Sequence, residues 1–168
     1  MGINIRPEKS SDTQSIHEIT VAAFLDAQHT DHTEQFIVKA LRDSGALTVS
    51  LIAEDLTQVV GHVALSPVTI SDGSSGWYGL GPISVIPNQQ GKGIGSKLMY
   101  AALAELKSLN ANGCVLLGDP NYYQRFGFEP IIDLLLSDVP PEYFQAYLIQ
   151  GTFPKGTVTY HESFSSKG

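Results

Sequence analysis

Apolar residues recur at two spacings along this chain, and the switches between them mark its elements. Ile16, Ile19, Val21, Ala23 and Phe24 sit at helical spacing behind three capping candidates, Ser10, Ser11 and Asp12. Phe36, Ile37, Ala40 and Leu41 repeat the pattern, with Thr33 as cap and "DSG" as stop. Ile94, Leu98, Met99, Ala102, Leu103 and Leu106 predict a helix from about Gly93 to Leu109. Strand-like runs are "INIRP", "LTVSLIAED", "VVGHVALSPVTI", "WYGLGPISVIP" and "CVLLG". The second and third flank "LTQ", which predicts a hairpin. "DPNYYQRF" reads as a short helix with Asp119 as cap and Pro120 in its first turn. "YFQAYLI" and "GTVTYHESF" read as two late strands, paired with each other. Strands and helices alternate around a central antiparallel hairpin, so the expected class is α/β, one mixed sheet with helices on both faces.

The chain shows no repeat, low-complexity run or linker. Its 168 residues, 42% apolar and 16% charged, fit a single domain over residues 1–168 with a real core. A net charge of -7 argues against general nucleic-acid binding, which relies on cations to neutralise phosphates, but leaves room for one local anionic ligand. No stretch approaches the roughly 18 apolar residues of a membrane helix. "MGINIRPEKSSDT" has no signal-peptide core and lacks the sixth-position Ser or Thr of a myristoylation site. A soluble cytoplasmic protein with no membrane partner is expected. The single cysteine, Cys114, lies in an apolar run and reads as an inert core thiol. His29 and His32 with Asp31 between them fall short of a metal ligand set, so no metal is expected.

"NQQGKGIGSKLM", residues 88–99, places three glycines in five positions where a helix should begin. A phosphate loop of the Gly-x-x-x-x-Gly-Lys-Ser/Thr type does not fit, because Lys92 precedes the last two glycines. The dinucleotide spacing Gly-x-Gly-x-x-Gly is missed by one residue. A plain packing turn remains open. So does an anion site, since a helix N-terminus carries unsatisfied N–H groups and glycines remove the side chains that would block approach.

Gln90-Gly91-Lys92-Gly93-Ile94-Gly95 resembles the Gln/Arg-x-x-Gly-x-Gly/Ala signature of the GNAT superfamily of N-acetyltransferases. "GLGPISVIP" is similar to that family's central strand, and "YYQRFGFEP" to its Tyr-x-x-x-Gly-Phe segment. The likeness runs in element order from about Ile3 to Pro130. "HVALSPV", "GDPNYYQRFGF" and "GTVTYHESF" further resemble a bacterial subgroup, the YhbS-like acetyltransferases. The implied fold is a GNAT-type, mostly antiparallel mixed sheet whose central strand pair splays apart.

The resemblance implies acetyl transfer from acetyl-CoA to an amine of a small molecule or protein. It places the CoA diphosphate on the amides of Gly91, Lys92, Gly93, Ile94, Gly95 and Ser96, with Gln90 at the loop's start. It lays the pantetheine arm along Ile83, Ser84 and Val85 as an added strand. A main-chain N–H near Ile83 or Val85 would polarise the thioester carbonyl. Tyr123, four residues before Gly127, is the candidate acid for the departing thiolate. Asn121 stands only two residues before Tyr123, closer than the family's CoA-contacting Asn, so no CoA role is carried over to it. An amine of pKa about 10.4 is about one part in a thousand neutral at pH 7, so a base must take its proton. Glu34, at the start of the second helix, and His62, on the "GHVAL" strand, are the candidates. Which way His62 faces depends on the pleat. A homodimer stays open, and a non-catalytic acyl-CoA-sensing module on the same fold is the alternative.

Overall fold

The computed structural model describes residues 2–27 and 30–168, so His29 lies outside the described residues. The strands are β1 (Ile3–Pro7), β2 (Val49–Asp55), β3 (Gln58–Pro67), β4 (Thr69–Ile70), β5 (Trp77–Val85), β6 (Gly113–Leu117), β7 (Leu134–Leu135), β8 (Phe144–Leu148) and β9 (Gly156–Thr159). The helices are α1 (Thr13–Phe24), α2 (Glu34–Ser44), α3 (Ile94–Ser108) and α4 (Pro120–Tyr123). A six-stranded sheet has the order β1-β2-β3-β5-β6-β8, and a small second sheet the order β4-β9-β7. Among the described residues β1–β2, β2–β3, β4–β9 and β6–β8 pair antiparallel and β5–β6 and β7–β9 pair parallel, so the mixed, mostly antiparallel class holds.

Contacts group the chain into two compact, interleaved units. The first holds residues 1–65, 81–102 and 162–168. Within it β1, β2 and β3 are antiparallel neighbours. Ile52 of β2 packs with Ile16 of α1 and Val38 of α2. On the opposite face of β3 a Cβ at Gly61 would meet Leu98 Cδ1 of α3 at 3.1 Å, so the missing side chain is what lets that helix approach. Helices therefore cover both faces here. α2 ends where Gly45 turns left-handed at φ 79° and returns its N–H to Arg42 O, as "DSG" predicts. Thr33 stands at the other end, but its side chain makes no capping bond.

The second unit holds residues 66–80 and 103–161. Its core gathers Val68, Ile70, Trp77, Val115, Leu134, Phe144, Ala146 and Val158. The two late strands do not pair with each other, contrary to the sequence expectation. β8 pairs with β6, and β9 lies between β4 and β7. Two-residue strands are too short to show any periodicity, so the partners of β9 left no mark in the hydropathy pattern. The β5–β6 ladder has three pairs, Trp77↔Gly113 to Gly79↔Val115, although β5 is nine residues long.

Gly113 fixes that ladder sterically: a Cβ there would stand 2.3 Å from Trp77 Cη2 and 2.7 Å from Tyr147 O. Gly113→Val should cost about 1–3 kcal/mol by overpacking. Urea denaturation checks this, and an unchanged midpoint would mean that the indole yields freely.

Candidate active site

The glycine loop is built from β5 onward. Ile86 N–H donates to Val60 O at 2.9 Å, and Ser84 O lies where Gly61 would carry a Cβ. Peptide groups alternate sides along a strand, so Ile83 and Val85 turn theirs to the edge away from β3. Val85 O accepts from Gln90 Nε2 at 3.0 Å. That bond ties the loop's first residue back to the strand. The Ser84 side chain is buried and its carbonyl lies towards Gly61 of β3.

A single turn at Pro87–Gln89 follows, and Gly91 and Gly93 then adopt φ 78° and 83°. A Cβ at either would meet nothing within 4 Å. Packing therefore does not demand glycine at these positions. The left-handed backbone does, and so would close approach from outside. Ile94 and Leu98 anchor the first turns of α3 against Gly61, and both are buried. Lys97 N–H to Gly93 O, 3.1 Å, is the helix's entry bond. The amides before Lys97 reach no carbonyl in the helix. Among the described residues, none of the N–H groups from Gly91 to Ser96 makes an internal hydrogen bond of ordinary geometry. Lys92 is exposed beside them.

Tyr123 closes α4, whose first turn is capped by the Asp119 carboxylate accepting from Asn121 N–H at 2.9 Å. Its ring lies on Gly118, where a Cβ would meet Cε2 at 2.4 Å, and against Tyr122 with centroids 4.8 Å apart. Burial raises its pKa above the ordinary phenol value, and Tyr122 and Asp119 push the same way. The hydroxyl therefore keeps its proton at neutral pH. Tyr122 packs beneath the Arg125 guanidinium, 4.4 Å from the ring centroid.

Glu34 opens α2. One carboxylate oxygen accepts from the Thr30 hydroxyl, while Oε1 is buried and has no hydrogen-bond partner among the described residues. His62 is different. It is fully buried on the face of β3 turned towards α2, in a polar chain that neither composition nor spacing revealed. Arg42 holds Glu8 with two bonds, Nε to Oε2 at 2.8 Å and Nη2 to Oε1 at 2.9 Å. Glu8 accepts the Ser50 hydroxyl proton, so Ser50 Oγ must accept from His62 Nε2, 2.8 Å away. The tautomer follows from that order. Nδ1 is left unprotonated and buried, with no hydrogen-bond partner among the described residues. Desolvation lowers the His62 pKa to about 4, with Arg42 helping and Glu8 opposing. An imidazole with no exposed surface and so weak a base is a strut joining β2, β3 and α2. The only sequence signal was that Ser50 and His62 lie on facing strands.

No group of three His, Cys, Asp or Glu that could hold a metal ion occurs among the described residues. Cys114 is buried, and burial pushes its thiol well above the ordinary range. No helix among the described residues is long and apolar enough to cross a membrane.

The end of β5, the glycine loop and the start of α3 with its unspent amides lie together in the first unit. The "Acetyltransferase (GNAT) family" model matches residues 13–128, and the chain belongs to that family. It is 37% identical over 110 residues to the uncharacterized N-acetyltransferase YhbS of Escherichia coli (strain K12). That alignment covers 65% of this chain and 66% of the relative, just under two thirds of the latter's length. The crystal structure of a GNAT family acetyltransferase from Brucella melitensis in complex with acetyl-CoA superposes with a TM-score of 0.87 at 45% identity. It covers 97% of this chain and 98% of that one. The E. coli YhbS structure in complex with CoA gives a TM-score of 0.88 at 33% identity, over 99% and 93% of the two chains.

The buried imidazole sets an acid limit on the fold. His62 binds a proton at about 6.5 when unfolded but only near 4 when folded. Between those values the unfolded chain holds more protons, so stability is full above about 6.5 and drains as pH falls towards 4. The loss reaches about 3 kcal/mol. Glu8 adds to it in the same direction. Burial pushes its carboxyl up, but Arg42 and Ser50 overcome that and hold it below the ordinary value. Denaturation midpoints of the protein measured from pH 7 to 4 should fall more steeply than those of His62→Gln. Parallel slopes would remove His62 as the cause.

Proposed function

We propose that this chain is one catalytic domain that transfers an acetyl group from acetyl-CoA to the amine of a small molecule or protein, in the cytoplasm. The carrying observation is the row of unspent N–H groups from Gly91 to Ser96 at the start of α3. An anion there gains main-chain hydrogen bonds and the positive end of the helix dipole together. The solved relatives in complex with acetyl-CoA and CoA support reading that anion as the CoA diphosphate.

Gly91 and Gly93 give the phosphates access to the backbone, Lys92 adds a cation at the rim, and Ile94, Gly95 and Ser96 lend their amides. Ile83 and Val85 offer strand hydrogen bonds to the pantetheine arm, with Ser84 between them facing β3. An N–H of this pair polarises the thioester carbonyl. Acetyl-CoA supplies the acetyl group, which passes to the amine nitrogen as the carbon–sulfur bond breaks. Tyr123 gives its phenolic proton to the thiolate. Glu34 takes the amine's proton through water, since its unpartnered Oε1 is itself buried. His62, buried and a weak base, has no part in proton transfer. The net charge of -7 favours cationic acceptors such as polyamines, aminoglycosides or basic peptides.

The test pairs acetyl-CoA titration with thiol release across an amine panel. Tight binding with no turnover on any amine would convert the enzyme into a sensor. Gly93→Val should abolish acetyl-CoA binding in calorimetry, because its side chain strains the left-handed backbone and intrudes on the phosphates. Retained affinity would reduce the loop to a packing turn. Tyr123→Phe should lower kcat about 10²-fold, the scale of one general acid, with acetyl-CoA affinity kept. Unchanged turnover would take Tyr123 out of the mechanism.

A further inference from the structure

Gln145 lies on β8 opposite Leu116 of β6, with 1% of its surface exposed. Glutamine is seldom fully buried, because its amide has both donors and an acceptor to satisfy. Here Nε2 donates to Gly118 O at 3.0 Å. Turning the amide over would set Oε1 against that carbonyl, so the partner decides the assignment. Oε1 is then buried with no hydrogen-bond partner among the described residues. An apolar side chain of similar size would avoid that desolvation. Whatever the Nε2 bond holds should therefore matter.

What it holds is the junction between β6 and α4. Gly118 N–H donates to Tyr143 O at 2.9 Å, and Gly118 O accepts from Gln145. Both bonds come from the β8 segment and the turn leading into it. Together they fix the glycine's two peptide planes. The Tyr123 ring rests on this glycine, in the space a Cβ would fill. Rotation of the 118–119 peptide would carry the ring's seat with it.

We propose that Gln145 is a positioning residue for the Tyr123 phenol, acting through the Gly118 carbonyl. The catalytic part rests on Tyr123 being the proton donor described above. Gln145 touches no reacting atom, so its loss lowers kcat while the KM for acetyl-CoA stays. Without the Nε2 bond the Gly118–Asp119 peptide turns, and the hydroxyl leaves the place from which it meets the departing sulfur.

The test uses the full chain labelled with ¹³C at the tyrosine Cζ. Gln145→Leu removes the donor at similar volume, and Val158→Ala, in the buried cluster of the same unit, serves as a destabilised control. The Tyr123 signal, identified by its loss in Tyr123→Phe, should shift in Gln145→Leu and stay in Val158→Ala. An unmoved signal in Gln145→Leu, or an equal shift in the control, overturns the proposal. With an amine that supports turnover, Gln145→Leu should lower kcat about tenfold, the scale of one hydrogen bond. The same change in the Tyr123→Phe background should cost less than about twofold, because the interaction it serves is already gone. Equal losses in both backgrounds would make Gln145 merely structural. A moved signal with full activity in Tyr123→Phe would leave the positioning standing and sink only the proton-donor reading.

Discussion

A main-chain N–H excluded from water needs an acceptor, and a helix start leaves several without one. The loop from Gly91 to Ser96 concentrates that deficit in one exposed place. Much of the surrounding construction serves to hold it there. Gly61 lets α3 settle on β3, Ile94 and Leu98 fasten its first turns, and Gln90 ties the loop to the end of β5. Remove any of these and the amides would still exist, but they would not point together. Orientation fixed before a ligand arrives is what makes such donors strong, since no ordering cost falls at the moment of binding.

The elements that carry this arrangement were legible because they are long and periodic. α3 begins and ends within one residue of its expected limits, and α2 stops at Gly45 as its sequence predicts. The cap of α4 was legible for a different reason: Asp119 followed by Pro120 leaves few other uses for either residue. What stayed hidden depended on register. Asp55↔Gln58 and Glu54↔Val59 follow the hairpin turn, but the pairing then shifts, with Ala53 facing Gly61 and Ile52 facing His62. The extra residue, Val60, moves His62 relative to β2 by one position. Hydropathy does not announce a bulge, so the side to which the imidazole turns could not be counted out from the turn.

Polar groups are buried at several points. Around His62, every step from Arg42 through Glu8 and Ser50 has a donor matched to an acceptor, ending in one orphaned nitrogen. Arg6 makes a similar clasp between Asp12, at 2.8 Å, and Glu54, at 3.2 Å. The Arg42–Glu8 and Arg6–Glu54 pairs join segments distant in sequence. Glu34 ends in the same way: one carboxylate oxygen accepts from Thr30, and the buried Oε1 has no hydrogen-bond partner among the described residues.

The lone thiol has a practical bearing on how the chemistry can be watched. Cys114 is wholly enclosed in β6, its sulfur turned to the neighbouring Val115 carbonyl and its ionisation suppressed. Disulfide dyes react with exposed thiolates, so the folded polypeptide is silent to them. Any colour that develops in a mixture with acetyl-CoA then reports the liberated coenzyme alone, and a sudden rise in the blank becomes a direct gauge of unfolding.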